Sequence, residues 1–174
     1  RVMPYSWGAE TPLSNFEIRL DDATRPRQDP AITVAFDLDP VDGDPAPLKI
    51  LAWTTTPWTL PSNLALAVGP DLDYAVVDLG GTHYVLGAEA LATYAAELGE
   101  ATTVATLRGT DLVGRTYTPL FDFFADNPAS FRILPGDFID TAEGTGVVHL
   151  APGFGEDAQR VCEAEGIPLV VPVD

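Results

Sequence analysis

Apolar and polar residues alternate along Ala31–Leu38 (AITVAFDL), a period of two that predicts a strand with one buried face. Leu48–Trp53 (LKILAW) and Leu64–Val68 (LALAV) predict two more strands. Asp73–Leu79 and Thr82–Leu86 flank Gly80-Gly81 and read as a hairpin with a tight glycine turn. The pattern then changes. Ala88–Leu98 (AEALATYAAEL) is rich in Ala, Leu and Glu and predicts a helix stopped by Gly99. Short strands are expected over Ala101–Leu107, Phe131–Leu134 and Val147–Leu150. A second helix is expected over Asp157–Glu165, ended by Gly166, and a last strand over Ile167–Val173. Asp39–Pro47 (DPVDGDPAP) reads as an acidic, proline-rich loop, and the 16 prolines punctuate the short strands. No internal repeat is visible. The expected fold is mainly β with peripheral helices, a β-barrel-like core in one domain over residues 1–174.

Bulk composition narrows the class. A chain of 174 residues with 46% hydrophobic content can bury one core. No apolar run approaches a membrane span, and no signal-peptide pattern opens the chain. The first residue is Arg1, so a piece of a larger protein is expected. The single cysteine, Cys162, excludes an internal disulfide and fits a reducing, cytoplasmic compartment. Lys plus Arg total 9 against 26 Asp plus Glu, a net charge of -17. Such a surface repels phosphate backbones, so any nucleic acid must be held by another part of a larger protein.

Two stretches carry candidate chemistry. Leu51–Asn63 (LAWTTTPWTLPSN) crowds five hydroxyls together. In an extended chain, Thr54 and Thr56 share one face and Thr55 takes the other. Pro57 ends ladder pairing, which leaves the hydroxyls at a rim, where binding sites tend to sit. A strand end capping its own backbone is the competing reading. The second stretch runs from Glu143 to Leu169. In it Gly144 and Gly146 flank Thr145, His149 sits in an apolar strand, and Glu156 and Asp157 open a helix. Glycines there let backbone approach a ligand. A lone strand histidine is more often a satisfied core group than a catalyst, and the acidic pair also suits a helix dipole. There is no phosphate loop, no Gly-x-Ser-x-Gly elbow and no metal-ligand spacing, so neither a metal nor a cofactor is expected.

Taken together, "WTTTPWTLPSN" and "GTGVVHLAPGFGED" resemble the editing domain of isoleucyl-tRNA synthetase, the insertion in a class I catalytic domain. "TPLSNFE" (Thr11–Glu17) is similar to the entry strand of that insertion. Valyl and leucyl enzymes carry related insertions, and their second motif usually lacks the histidine. The signatures of an aminoacylation site are absent. The resemblance implies hydrolysis of valyl-tRNA(Ile), after transfer and possibly of valyl adenylate before it. A second, smaller pocket would admit valine and exclude isoleucine, since one methylene changes binding by only ~1–3 kcal/mol; this Ile/Val pair is the standard illustration of the double sieve. Implied partners are the mischarged tRNA 3′ end, valine and the rest of the synthetase, with no membrane and a monomeric fragment. Thr54, Thr55 and Thr56 would orient water or ribose, and Trp58 and Thr59 would form a wall. Asn63 would brace the peptide or touch substrate. His149 would gate by size. Gly144, Thr145, Gly146 and Phe154 would supply backbone and a wall.

One position departs from the family pattern. An aspartate expected nine residues beyond the histidine, which pairs with the substrate's α-ammonium, is here Ala158. Asp157 is one position early, which on a helix turns its side chain by about 100°. Crippled editing is therefore expected. The alternatives are a valyl or leucyl editing domain, or an acidic β-barrel binding module without hydrolysis.

Overall fold

The computed structural model describes residues 3–23, 25–45 and 47–172. A small antiparallel ribbon opens it, β1 (Tyr5–Ser6) against β2 (Thr11–Pro12). A single 3-10 turn, Glu17–Arg19, follows. Ser14 and Glu17 cap it reciprocally, each accepting the other's backbone N–H through its side chain, at 3.2 and 2.7 Å.

Five strands then build the larger sheet: β3 (Ile32–Asp37), β4 (Leu48–Thr54), β6 (Asp73–Leu79), β7 (Thr82–Gly87) and β8 (Thr102–Arg108). Their order is β3-β4-β7-β6-β8, antiparallel except for the β4–β7 pair. Burial alternates residue by residue along β4, as a half-buried strand requires. Gly80 and Gly81 have φ of 64° and 88°, the two left-handed residues of a tight hairpin turn, and Asp78 Oδ1 accepts the Gly81 N–H.

A second sheet has three strands in the order β10-β5-β9. β5 (Ala65–Val68) is central and wholly buried. It pairs antiparallel with β10 (Val147–Leu150) and parallel with β9 (Arg132–Pro135). Phe36, Ile50, Leu66, Tyr74 and Ile133 join the two sheets in one core. A second cluster lies under a terminal helix, α3 (Glu156–Ala164), where Val161 and Cys162 meet Leu64, Leu134 and Leu150. The chain is thus mainly β with peripheral helices. Its sheets stay open at their edges, so "barrel-like" holds only loosely: among the described residues there is no closed barrel.

Two expectations are corrected. Ala88–Leu98 is not one helix. It breaks into a 3-10 turn, Ala88–Leu91, and a single α turn, α1 (Ala95–Leu98). Eleven residues make a marginal helix alone. Here tertiary contacts override propensity: Ala90 and Leu98 are buried, and the Tyr94 hydroxyl sits 2.9 Å from Thr33 Oγ1 on β3. Ile167–Val173 is not a strand over its described part, and Val173 lies outside the described residues. Pro168 and Pro172 remove ladder donors, and Ile167 instead closes α3 by donating its N–H to Cys162 O at 2.8 Å. A further short helix, α2 (Gly109–Leu112), has no apolar period and was not expected. The Asp39–Pro47 loop, of which Ala46 lies outside the described residues, is held by Arg115, whose guanidinium grips Asp44 with both terminal nitrogens.

α2 starts at a backbone crossing. A Cβ on Gly109 would lie 2.0 Å from the Gly69 carbonyl oxygen. Gly109→Ala is therefore expected to lower stability by about 2 kcal/mol or more, read from the urea midpoint. Gly8→Ala, with nothing within 4 Å of the new methyl, should change it by less than about 0.5 kcal/mol.

Candidate functional site

The threonine peptide is placed by a strand that stops and a helical turn that begins. β4 ends at Thr54, and Pro57 opens the 3-10 turn Pro57–Ser62, where its missing N–H has no bond to lose. Thr54 is buried beneath the turn; its Oγ1 accepts the Thr56 N–H at 3.0 Å and lies 3.3 Å from the Thr56 hydroxyl. The N–H and hydroxyl of Thr59 both donate to the Thr56 carbonyl, at 3.0 and 2.8 Å.

Opposite stands β10, the edge strand of the smaller sheet. His149 Nε2 lies 3.0 Å from Thr59 Oγ1. The one hydroxyl proton of Thr59 is committed to Thr56, so the network assigns the hydrogen to Nε2, which donates to Thr59. Nδ1 then carries a bare lone pair, buried and without a partner. Burial holds the imidazole down to a pKa of about 4, from 6.5. The ring is neutral at ordinary pH and a weak base.

Between these walls is a cavity of about 330 Å³. Thr56, Trp58 and Thr59 form one side and Val148–Ala151 another. Phe154 and the first turn of α3, Glu156 to Ala158, form the third, and Phe138 closes it. Trp58 is 61% and Phe154 42% exposed, which puts both rings at the mouth. Ala158 is buried, so its methyl belongs to the wall.

Other expected residues lie elsewhere. Thr55 is exposed on the opposite face from Thr54 and Thr56 and does not line the cavity. Of the two roles expected for Asn63, bracing the peptide or touching substrate as a catalytic group, its contacts are bracing ones: Nδ2 donates to Ala65 O at 2.7 Å, and Oδ1 accepts the Tyr117 hydroxyl at 2.6 Å. Both its polar atoms are used, and it too is absent from the cavity wall. Gly144, Thr145 and Gly146 line an adjoining hollow of about 250 Å³. Their close approach is to protein. A Cβ on Gly144 would meet the Trp53 ring at 2.8 Å, and one on Gly146 would meet Gly87 Cα at 3.4 Å. Gly87 N–H donates to Thr145 O at 2.7 Å, and the Tyr74 hydroxyl donates to Gly146 O at 2.8 Å. Asp157 lines the cavity, but its carboxylate is tied to Arg160 at 3.2 Å.

Phe138, Val148 and Ala151 line the cavity without having stood out in the sequence. Phe138 lies in an irregular segment, where no apolar period marks a residue's direction. Among the described residues, no group of three or more His, Cys, Asp or Glu could hold a metal ion, and no helix is long and apolar enough to cross a membrane.

No family model matches the chain. Isoleucine–tRNA ligase of Rickettsia felis is 51% identical over 191 residues, covering 100% of this chain and 18% of the relative. That of Rickettsia peacockii is 55% identical over 180 residues, covering 100% of this chain and 16% of the relative. The chain belongs to the isoleucine–tRNA ligase family. It spans less than a fifth of the length of either of these relatives. Two solved structures similar to it come from leucyl enzymes. GlLeuRS-CP1 superposes with a TM-score of 0.64 at 20% identity, over 80% of this chain and 66% of that one. The P. knowlesi cytosolic leucyl-tRNA synthetase editing domain gives 0.54 at 17% identity, over 68% and 52%. At these identities the likeness is one of fold. Membership in the isoleucine family rests on the sequence matches.

The buried histidine makes stability depend on pH. Its folded pKa, about 4, is below the ordinary 6.5, so on acidification the unfolded chain takes up the proton first. Stability is therefore lost as pH falls from about 6.5 to about 4, by roughly 3 kcal/mol in all. Urea unfolding of the wild type and His149→Gln at a series of pH values should show the wild type losing stability relative to the variant across that window. Parallel curves would remove the histidine as the cause.

Proposed function

We propose that this chain is the editing hydrolase unit of an isoleucine–tRNA ligase, cleaving valine from mischarged tRNA(Ile) through the cavity between the threonine turn and β10. The observation that carries the reading is the Thr59–His149 contact, which joins residues 90 positions apart into facing walls of one pocket. A valyl group fits a space lined by Val148, Leu150, Ala151 and the two mouth aromatics. The Thr56 hydroxyl, the one member of the threonine triplet in the cavity wall, would hold the attacking water beside the ester. Neutral His149 serves as a wall and a hydrogen-bonding post. A proton-taking role would require a pKa nearer the working pH.

The same geometry favours slow turnover. Ala158 offers a methyl where the family resemblance places a carboxylate for the substrate's ammonium. Asp157, one residue earlier, is engaged by Arg160. The buried wall at position 158 thus gives the ammonium no carboxylate, and an ammonium desolvated there without one binds poorly. The net charge of -17 adds that the tRNA must be delivered by other parts of a longer ligase.

Deacylation of valyl-tRNA(Ile) by a full-length ligase carrying this unit tests both parts of the reading. Ala158→Asp should raise the single-turnover rate about tenfold or more, equivalent to ~1.4 kcal/mol of transition-state binding. Equal rates would defeat the impairment, and absence of valyl hydrolysis in both forms would defeat the hydrolase assignment. In the Ala158→Asp chain, a further His149→Ala change should expose isoleucyl-tRNA(Ile) to cleavage; undiminished discrimination would remove the histidine as a size gate.

A further inference from the structure

Phe138 and Val148 each face two spaces. Both line the 330 Å³ cavity, and both line the neighbouring 250 Å³ hollow floored by Gly144–Gly146. Side chains that bound two adjoining spaces are the partition between them. Val148 is fixed by the pairing of β10 with β5, opposite Ala67. Phe138 has no strand to hold it, and the two residues just before it are tied down. Gly136 N–H donates to Val68 O at 2.9 Å. Asp137 pairs with Arg160 of α3 at 2.8 Å, and Phe138 itself packs on the cluster that contains Ala158.

We propose that Phe138 is a specificity-determining residue, the partition that sets the upper size of aminoacyl side chain the cavity accepts. The inference rests on the editing reading above. His149 limits the pocket on the threonine side, and Phe138 limits it on the side of the hollow. Truncating the ring opens the cavity into a further 250 Å³, far more than the methylene that separates isoleucine from valine.

Binding, with no hydrolysis required, tests the idea. Non-hydrolysable adenosine amides of valine, isoleucine and phenylalanine are titrated calorimetrically into the Ala158→Asp chain with Phe138 intact, with Phe138→Ala and with Phe138→Leu. With Phe138 intact, the valyl amide should bind about tenfold or more tighter than the phenylalanyl amide. Phe138→Ala should bring the two within about threefold, read as the ratio of the two Kd values measured on the same variant, and Phe138→Leu should fall between. If Phe138→Ala does not unfold cooperatively, Phe138→Leu decides alone. Valyl binding with a preference unmoved by either substitution overturns the partition and leaves the editing reading standing. No binding of any amide by the chain with Phe138 intact overturns both.

Discussion

The hydrogen bond from His149 to Thr59 is the constraint on which the site depends. It fastens the end of a helical turn from one sheet to an edge strand of the other. Its donor is fixed by a chain of commitments: the Thr56 carbonyl takes the Thr59 hydroxyl proton, so only the imidazole can donate. The same contact holds the ring where water is scarce, which keeps it neutral and leaves Nδ1 unpartnered.

Much of this was legible from the chain. The strands announced themselves through period-two alternation, and Gly80-Gly81 through the backbone angles that only glycine adopts readily. The threonine peptide was legible because Pro57 after three hydroxyls can only terminate a strand. Other features were hidden. The Ala88–Leu98 segment has every local mark of a helix, yet Tyr94 is drawn toward Thr33 and the helix breaks. A bracing role for Asn63 was expected from its peptide, but its partner Tyr117, 54 positions away, could not be read locally. Phe138 was missed because direction in an irregular segment is set by tertiary ties alone.

The glycine crossing at Gly144–Gly146 shows how one sequence signal serves two readings. Glycine pairs before a strand mark close backbone approach, and the approach here is to Gly87 and the Trp53 indole. The Tyr74 hydroxyl, pushed up to a pKa of about 12 by burial, stays protonated and bridges Gly69 and Gly146. The adjoining hollow is bounded by this crossing and is correspondingly rigid. The strongly acidic exterior plays no part in that interior arrangement; it governs which molecules approach, and cationic groups are favoured over phosphates.

β5 pairs with a strand that follows it by some sixty residues and with another that follows it by about eighty. Loop-closure entropy must be met before either pairing rewards it, so such non-local ladders form late. A nascent chain released short of His149 owns the hydroxyls but no chamber to hold them in. The wall opposite the threonine turn exists only where β10 is paired onto β5.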